Sequence, residues 1–346
     1  MKKSLVALAV LSTMGAGAFA QSSVTLFGIA DVNARYSNNS NTTLYTLSQD
    51  GIASSRLGVR GVEDLGGGMR AGFWFEGAMN PDTGTPGGQT WQRRSTVSLM
   101  GGFGEVRVGR DYTPSFWNLT VFDPFGTNGV GAYSNIHASN GAAGQTANVI
   151  SNFSTLVRSN NSIGYFLPGN LGGIYGQAMV SAAEGPVNGN KYIGARVGYQ
   201  AGPINVAASI GQTEVTAVGG DDSVQNVNVA GSYKLGNLTG MAQYGRFTLA
   251  STSYTNYLVG GTFAMGPTTF KVAYSSFANS ATTADATQIA AGVQYDLSRR
   301  TALYSNVSRI SNDGGATAGA NFGTGSLAAA RGKDHTGFEV GVRHSF

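Results

Sequence analysis

The sequence predicts an all-β fold, a 16-stranded antiparallel transmembrane β-barrel with an inward-folded third loop. Sixteen short stretches alternate apolar and polar residues, and the connectors between them are alternately long and short, as an up-and-down barrel requires. Outside the N-terminal segment, no window of about 18 residues is both apolar and uncharged, so the sequence offers no spanning helix. Charged residues make up 12% of the chain, against about 25% in soluble domains. This composition is typical of strands that turn one face to lipid and the other to water.

The chain divides into a predicted secretory signal, residues 1–20, and a single barrel domain, residues 21–346. Two lysines and a short apolar run precede Ala18-Phe19-Ala20, whose small residues are typical of a cleavage point before Gln21. An anchor helix is the alternative interpretation, but the apolar run is too short to cross a membrane.

Charge and cysteine content exclude several classes of protein. Cleavage would remove 2 of the 22 Lys+Arg and none of the 18 Asp+Glu, which leaves a net charge of +2 (20 − 18). No basic cluster of the kind that nucleic-acid binding needs is present, so no nucleic-acid partner is expected. The absence of cysteine excludes disulfides and thiol chemistry.

The predicted strands follow from period-two alternation of apolar residues. Tight turns rich in Gly and Asn join every second pair of strands, because such turns need a positive φ. The predicted strands are Val24–Tyr36, Arg56–Asp64, Met69–Asn80, Trp91–Met100, Glu105–Tyr112, Ser159–Pro168, Gly173–Ser181, Lys191–Ala201, Ile204–Thr213, Val224–Leu235, Leu238–Leu249, Ser253–Met265, Thr268–Phe277, Thr287–Leu297, Thr301–Ile310 and His335–Phe346.

The same alternation assigns charged side chains to the lumen. In the last strand, for example, Phe338, Val340 and Val342 share one face, while Glu339 and Arg343 share the other. Since the apolar face must meet lipid, the charged face points inward. Seven basic residues are predicted to face the lumen in this way: Arg56, Arg60, Arg94, Arg158, Arg196, Lys234 and Lys271.

Arg110 is the basic residue whose side the alternation leaves open. It shares parity with the apolar residues Val106 and Val108, so it faces inward only if Gly109 marks a β-bulge.

The connector from about Thr113 to Arg158 is the candidate for a loop folded into the lumen. It carries one carboxylate, Asp123, and no Lys or Arg before Arg158, so it can pack closely against a wall. A barrel of sixteen strands encloses an aqueous channel that needs narrowing before it can select solutes. An ordinary exposed loop is the alternative, since long loops are either functional or disordered.

Several segments resemble a known family. The stretch Gly101–Pro114, together with Ser55–Gly58, Glu63–Gly68 and the C-terminal Gly341–Phe346, resembles the general trimeric porins of Gram-negative outer membranes, in particular an anion-type proteobacterial subgroup. The resemblance implies a homotrimer that is exported, inserted in the bacterial outer membrane and surrounded by its lipids and lipopolysaccharide. It also implies recognition of the C-terminal strand, ending in Phe346, by the outer-membrane assembly machinery. No cofactor and no metal is implied.

The resemblance also suggests a functional site. The family sets basic wall residues against an acidic loop, which implies Arg56, Arg94 and Arg158 as the basic cluster and Asp123 as the opposing acid. The loop motif of the family is matched here by Pro124, Phe125 and Gly126 after that acid. Three cations against one anion favour anions in a pore, so we expect passive diffusion of small hydrophilic solutes and inorganic ions with weak to moderate anion selectivity.

Other functions stay open from the sequence alone. A channel specific for organic anions is the main alternative, because Tyr112, Phe116, Trp117 and Tyr133 could line a binding site. An enzyme is not expected, since the three histidines lie in no nucleophile or acid-pair arrangement. An adhesin would need larger external loops than most of those here.

Overall fold

A computed structural model describes residues 23–84, 90–137, 154–183, 191–217, 220–249, 251–281, 283, 285–313 and 332–346. The predicted signal, residues 1–20, and part of the long third loop lie outside the described residues. The strands are β1 Ser23–Asn38, β2 Thr43–Gln49, β3 Arg56–Gly66, β4 Met69–Ala78, β5 Arg94–Gly101, β6 Gly104–Tyr112, β7 Arg158–Phe166, β8 Ile174–Ser181, β9 Tyr192–Ala201, β10 Ile204–Ala217, β11 Gly220–Leu235, β12 Leu238–Leu249, β13 Thr252–Met265, β14 Thr268–Asn279, β15 Ala286–Asp296, β16 Thr301–Asn312 and β17 His335–Ser345. The helices are α1 Pro114–Val121 and two short 3₁₀ turns, Tyr133–Asn135 and Ser154–Leu156.

These strands form one closed antiparallel barrel, which confirms the predicted fold class. Each strand from β3 to β17 pairs with its neighbour in sequence, and β1 closes the barrel by pairing with β17 from Ile29↔Ser345 to Asn38↔Thr336. The other edge of β1 pairs with two strands. It pairs with β2 along its loop-side half and with β3 along its turn-side half. The seventeen described strands therefore occupy sixteen positions around the barrel.

Strand β2 is not predicted from the sequence. Its residues fall in the connector predicted between Tyr36 and Arg56, because the segment is short and mostly polar. The chain leaves the wall after β2, and the Asp31 carboxylate holds it there by accepting the backbone N–H groups of Gly51, Ile52 and Ala53 at 3.0–3.1 Å. A side chain of the wall thus fixes the break between β2 and β3.

The connectors differ from the prediction at the loop-side rim. The tight turns are present where predicted, for example at Gly66 and Gly236, both with positive φ. One connector predicted to be long is short, since β10 ends at Ala217 and β11 begins at Gly220, and not at the predicted Thr213 and Val224. Polar residues extend these strands beyond the apolar stretch from which their ends were predicted.

The two faces of the wall differ as the alternation predicts. Large apolar side chains such as Val197, Val259 and Phe338 are exposed on the outside. Alternate residues, such as Asn228, Gln243 and Glu339, are buried on the inside. No helix within the described part of the chain is long and apolar enough to cross a lipid bilayer.

The buried core lies inside the barrel, between the third loop and the inner wall. Phe122 packs against Ala207 and Ala230, and Phe125 packs against Ala273 and Ala290. A larger cluster joins loop residues to strand residues of β11 to β16: Leu119, Val130, Tyr133, Ile136, Val224, Phe247, Tyr254, Leu258, Phe277, Ala286 and Ile310. Small wall residues beneath the two phenylalanines let the loop approach closely.

Hydrogen bonds from inward polar side chains attach the loop to the wall. Gln243 donates to the Leu119 carbonyl at 3.0 Å, and Glu339 accepts the Val130 N–H at 3.2 Å. Glu339 also forms an ion pair with Arg35 at 2.9 Å. The Glu339 side chain is 0% exposed and the Arg35 side chain is 2% exposed. Because both charges are desolvated, each needs the other, and the ion pair ties β1, β17 and the loop together.

His137, which lies in this core, gives the fold a pH dependence that can be tested. Its ring centroid lies 4.8 Å from that of Phe247 and 5.3 Å from that of Tyr133, and burial lowers its pKa from 6.5 to about 3. Its contribution to stability is therefore complete above pH 6.5 and is lost as the pH falls toward 3. At pH 4 the loss is about 3 kcal/mol. We expect His137→Gln to shrink the fall in unfolding midpoint between pH 7 and pH 4, measured by far-UV circular dichroism in detergent.

His344→Gln is the matched control, because His344 lies on the exposed side of β17. This variant should keep the pH dependence of the wild-type protein. An equal fall in midpoint for wild type and His137→Gln would contradict the prediction.

Candidate functional site

A cavity of about 430 Å³ lies between the third loop and the wall formed by β3 to β7. The loop is attached to the opposite wall, so this space is left open beside it. Charged and polar wall residues line one side, and aromatic and small residues of the loop line the other. The lining residues are Ser54, Arg56, Arg93, Tyr112, Phe116, Trp117, Leu119, Thr120, Gly126, Thr127, Asn128, Ser134, Leu156, Val157 and Arg158.

Three arginines give the cavity its charge. Arg56 begins β3 and bonds the Ser54 carbonyl through Nε at 2.8 Å. Arg93 lies just before β5, and Arg158 begins β7. Every charged residue in the lining is thus a cation.

Glu76 and Tyr112 hold the three guanidinium groups in place. The Glu76 carboxylate lies 2.7 Å from Arg93 Nε and 3.4 Å from an Arg56 terminal nitrogen. The Tyr112 hydroxyl accepts hydrogen bonds from Arg93 at 2.9 Å and Arg158 at 2.7 Å. The Arg158 guanidinium also lies over the Tyr112 ring, 4.3 Å from its centroid. Glu76 contacts two of the three arginines, so the cavity keeps a positive net charge.

A second carboxylate stands behind this cluster. Asp50, in the break between β2 and β3, accepts the Ser55 N–H at 2.6 Å. Burial raises the pKa of Asp50, and the charges of Arg93 and Arg56 act against that rise.

Arg93 is not among the lumen-facing residues predicted from the sequence. Period-two alternation allows only one of two consecutive residues in a regular strand to face inward, and it selects Arg94. The regular strand begins at Arg94, so Arg93 belongs to the irregular approach and also reaches Glu76. The Arg93-Arg94 pair at a predicted strand end is the signal that could have found it.

Arg94 lies outside this cavity, in a second cluster on the same wall. Its Nε is 3.7 Å from Asp111 and its guanidinium is 4.5 Å from the Trp74 ring. Arg107 makes a 2.6 Å ion pair with the same aspartate. The Arg60 guanidinium also lies over the Trp74 ring, 4.9 Å from its centroid.

Asp123 does not line the cavity. It is 5% exposed, and its carboxylate accepts the backbone N–H groups of Phe125, Thr127 and Tyr133, each at 2.9 Å. Burial raises its pKa. Asp123 therefore shapes the loop, and Glu76 occupies the position facing the arginines that the resemblance implies for Asp123.

The three residues of the loop motif that follow Asp123 contact different parts of the barrel. Gly126 lines the cavity, and its carbonyl accepts hydrogen bonds from Thr120 and Asn128. Phe125 is buried against the far wall, and Pro124 lies beside Gly260.

The other predicted lumen-facing basic residues lie apart from the cavity. Arg196 donates to Asn118 of α1 and to the Tyr175 hydroxyl. Lys271 lies 5.9 Å from the Phe125 ring. Lys234 is exposed near the turn-side end of β11 and shares the inward parity of Asn228.

Arg110 and Phe346 lie on the outside of the wall. The register shift near Gly109 places its extra residue on β7. The β5–β6 register is unbroken as far as Ser95↔Arg110, so Arg110 keeps the outward parity of Val108, and it donates to the Gln92 carbonyl and to Asn160. Phe346 exchanges two 3.0 Å backbone hydrogen bonds with Gly28, which extends the β1–β17 closure to the last residue.

Aromatic side chains line the cavity beside the arginines. The Tyr112 and Phe116 rings are stacked, with centroids 5.3 Å apart and planes 9° apart. Trp117, which follows on α1, lies 5.5 Å from Tyr112. The cavity therefore combines a positive wall with a flat apolar surface.

Comparison with known proteins places the chain in a family. The profile of the family described as Gram-negative porin matches residues 7–316. Outer membrane porin protein 32 of Delftia acidovorans is 40% identical over the whole of both chains. An outer membrane porin protein of Bordetella pertussis is 32% identical over 36% of this chain and 37% of its own.

Solved structures agree with these matches. The structure described as the anion-selective porin from Comamonas acidovorans superposes with a TM-score of 0.83 at 36% identity, covering 94% of this chain and all of its own. OmpT of Vibrio cholerae in its trimer form gives a TM-score of 0.70 at 17% identity, covering 94% and 99%. At that identity the second likeness concerns the fold alone.

Proposed function

Because the chain belongs to the Gram-negative porin family, we propose that it forms a water-filled channel in the bacterial outer membrane, with the arginine-lined cavity as its constriction. The observation that carries this proposal is the position of that cavity. The third loop packs against the wall of β10 to β17 and leaves a cavity of about 430 Å³ beside β3 to β7. Small hydrophilic solutes that cross the barrel would pass the three arginines. The transport is passive and involves no catalytic step, cofactor or metal.

The charge of the constriction supports selectivity for anions. Arg56, Arg93 and Arg158 line the cavity, and Glu76 offsets only part of their charge. A low-dielectric wall focuses such a field and raises the local anion concentration. Arginine clusters in a pore favour anions over cations. The relative from Comamonas acidovorans, described as anion-selective, agrees with this assignment.

Export and assembly follow from the same proposal. Residues 1–20 act as the secretory signal, and residues 21–346 form the barrel. The C-terminal strand that ends in Phe346 is the segment presented to the assembly machinery, and the inserted protein is a homotrimer surrounded by outer-membrane lipid and lipopolysaccharide. The trimer form of a structural neighbour is compatible with that assembly.

Removing single arginines should lower the anion selectivity. A unit charge 4 Å from an ion contributes roughly 4 kcal/mol at an effective dielectric of about 20, before salt screens it. Only a small part of this survives in an open channel, so we expect Arg93→Ala and Arg158→Ala each to lower the chloride-to-potassium permeability ratio by about two- to fivefold. The measurement is the reversal potential across a planar bilayer in a potassium chloride gradient.

Lys191→Ala is the matched control, because it removes one positive charge that pairs with Glu214 at an exposed position away from the cavity. Its permeability ratio should equal that of the wild-type protein. A wild-type channel that prefers potassium, or arginine variants that keep the wild-type ratio, would overturn the assignment of the site.

The aromatic side of the cavity favours a second candidate function, a channel specific for organic anions. Tyr112, Phe116 and Trp117 offer a flat apolar surface beside the arginines, which suits a planar carboxylate better than chloride. A bound solute saturates its channel, whereas free diffusion does not.

Benzoate flux into liposomes distinguishes the two functions. For a general porin we expect the flux to rise linearly with benzoate concentration, and Phe116→Ala to raise it slightly by widening the cavity. Saturating flux in the wild-type protein that becomes linear in Phe116→Ala would instead establish the organic-anion channel. Acetate, which has no ring to stack on Phe116, is the control solute.

A further inference from the structure

One charged side chain faces outward near the loop-side edge of the apolar wall. Among the described outward-facing residues of β12, β13 and β14, Arg246 is the charged one. Its neighbours in sequence, Gly245 and Phe247, are buried on the inside, and Phe247 belongs to the core beneath the loop. The Arg246 side chain therefore points away from the lumen and is exposed.

The surface around Arg246 changes from apolar to polar. The next outward-facing pair toward the turn side is Tyr244 and Tyr257, whose ring centroids are 5.3 Å apart. Beside Arg246 lie Thr255 on β13 and the apolar Val227 on β11. Beyond it, toward the loop side, the outward residues are polar: Thr248, Ser253 and Gln225. Aromatic rings collect where the hydrocarbon ends and the headgroups begin. The tyrosine pair thus marks that boundary and places Arg246 just outside it.

Arg246 has no hydrogen-bond, ion-pair or ring partner among the described residues. Two other outward arginines among the described residues differ in this respect. Arg309 pairs with Asp334 at 2.7 Å, and Arg110 bonds Gln92 and Asn160. An unpaired guanidinium at the headgroup level attracts an anion, and its planar donors match a phosphate in a bidentate manner.

We propose that Arg246, with the hydroxyls of Thr248 and Thr255 beside it, binds a phosphate of the outer-leaflet glycolipid. The proposal rests on the proposed function, because a porin turns its loop-side rim to the outside of the cell, where the leaflet is built from phosphorylated glycolipid. The guanidinium takes the phosphate, and the tyrosine pair packs against the sugar and the first carbons of the acyl chains.

Native mass spectrometry of the purified full-length protein tests this binding. The probes are bisphosphorylated lipid A, the same lipid without its phosphates, and phosphatidylglycerol. We expect the wild-type protein to retain bisphosphorylated lipid A best. Arg246→Ala should weaken that binding by about fivefold, the effect of one basic residue at a charged membrane surface, and Arg246→Lys should lose about half of the wild-type affinity, because a lysine makes no bidentate contact.

Arg309→Ala is the matched control, since it removes an outward arginine whose charge Asp334 already neutralises. Its lipid A binding should equal that of the wild type. The proposal is overturned if Arg246→Ala binds bisphosphorylated lipid A like the wild type, or if the dephosphorylated lipid binds equally well. Equal retention of phosphatidylglycerol with the same dependence on Arg246 would also overturn the assignment to the glycolipid.

Channel recording of the same samples separates this proposal from the proposed function. Arg246 faces away from the lumen, so Arg246→Ala should keep the wild-type conductance and reversal potential, which also shows that the variant folds. A wild-type protein that forms no channel would contradict the proposed function, whatever lipid it binds. Normal channels with lipid binding that does not depend on Arg246 would contradict only the lipid site.

Discussion

The closure of the sheet between β1 and β17 is the constraint on which the rest of the structure depends. In hydrocarbon each unpaired backbone N–H or C=O costs several kcal/mol, so a sheet that spans the membrane can have no free edge. The pairing runs from Asn38↔Thr336 to Ile29↔Ser345, and Gly28 and Phe346 continue it by exchanging two further hydrogen bonds. Once the sheet is closed, every residue is committed to lipid or to the lumen. That commitment allows buried carboxylates and amides to stand between exposed valines and leucines.

The inward polar residues then determine where the channel lies. Gln243, Glu339 and the small residues of β11 to β17 fix the third loop to one half of the lumen. The open space is displaced to the opposite half, where Arg56, Arg93 and Arg158 line it. The buried Arg35–Glu339 pair contributes to this arrangement without touching the cavity, because Glu339 also accepts the N–H of Val130. The position of the constriction is therefore a consequence of how the far wall holds the loop.

The period-two alternation of apolar residues predicts most strands of the wall from the sequence. The strand and the site residues that it does not predict correctly each have a physical reason. The strand β2 was missed because it forms only half of a strand position and carries few apolar residues. Arg93 was missed because it precedes the regular strand in which parity has a meaning. Asp123 was placed opposite the arginines because a sequence does not reveal that an acid uses its oxygens on its own loop. Glu76, by contrast, could have been found by applying parity to β4, where it faces inward opposite Gly58 of β3.

The arginines of this barrel show that the position of a charge in the closed wall determines how much neutralisation by a counter-charge it needs. Arg35 is fully desolvated, so a single carboxylate must neutralise it almost completely. Arg93 and Arg158 line the cavity and share the Tyr112 hydroxyl, while the Glu76 carboxylate contacts Arg93 and not Arg158, so a net positive charge remains. Arg246 lies outside, where the protein supplies no partner among the described residues and the surroundings must provide one. The same side chain thus stabilises the fold, charges the pore or faces the membrane surface, according to the amount of water and the number of counter-charges at each level of the wall.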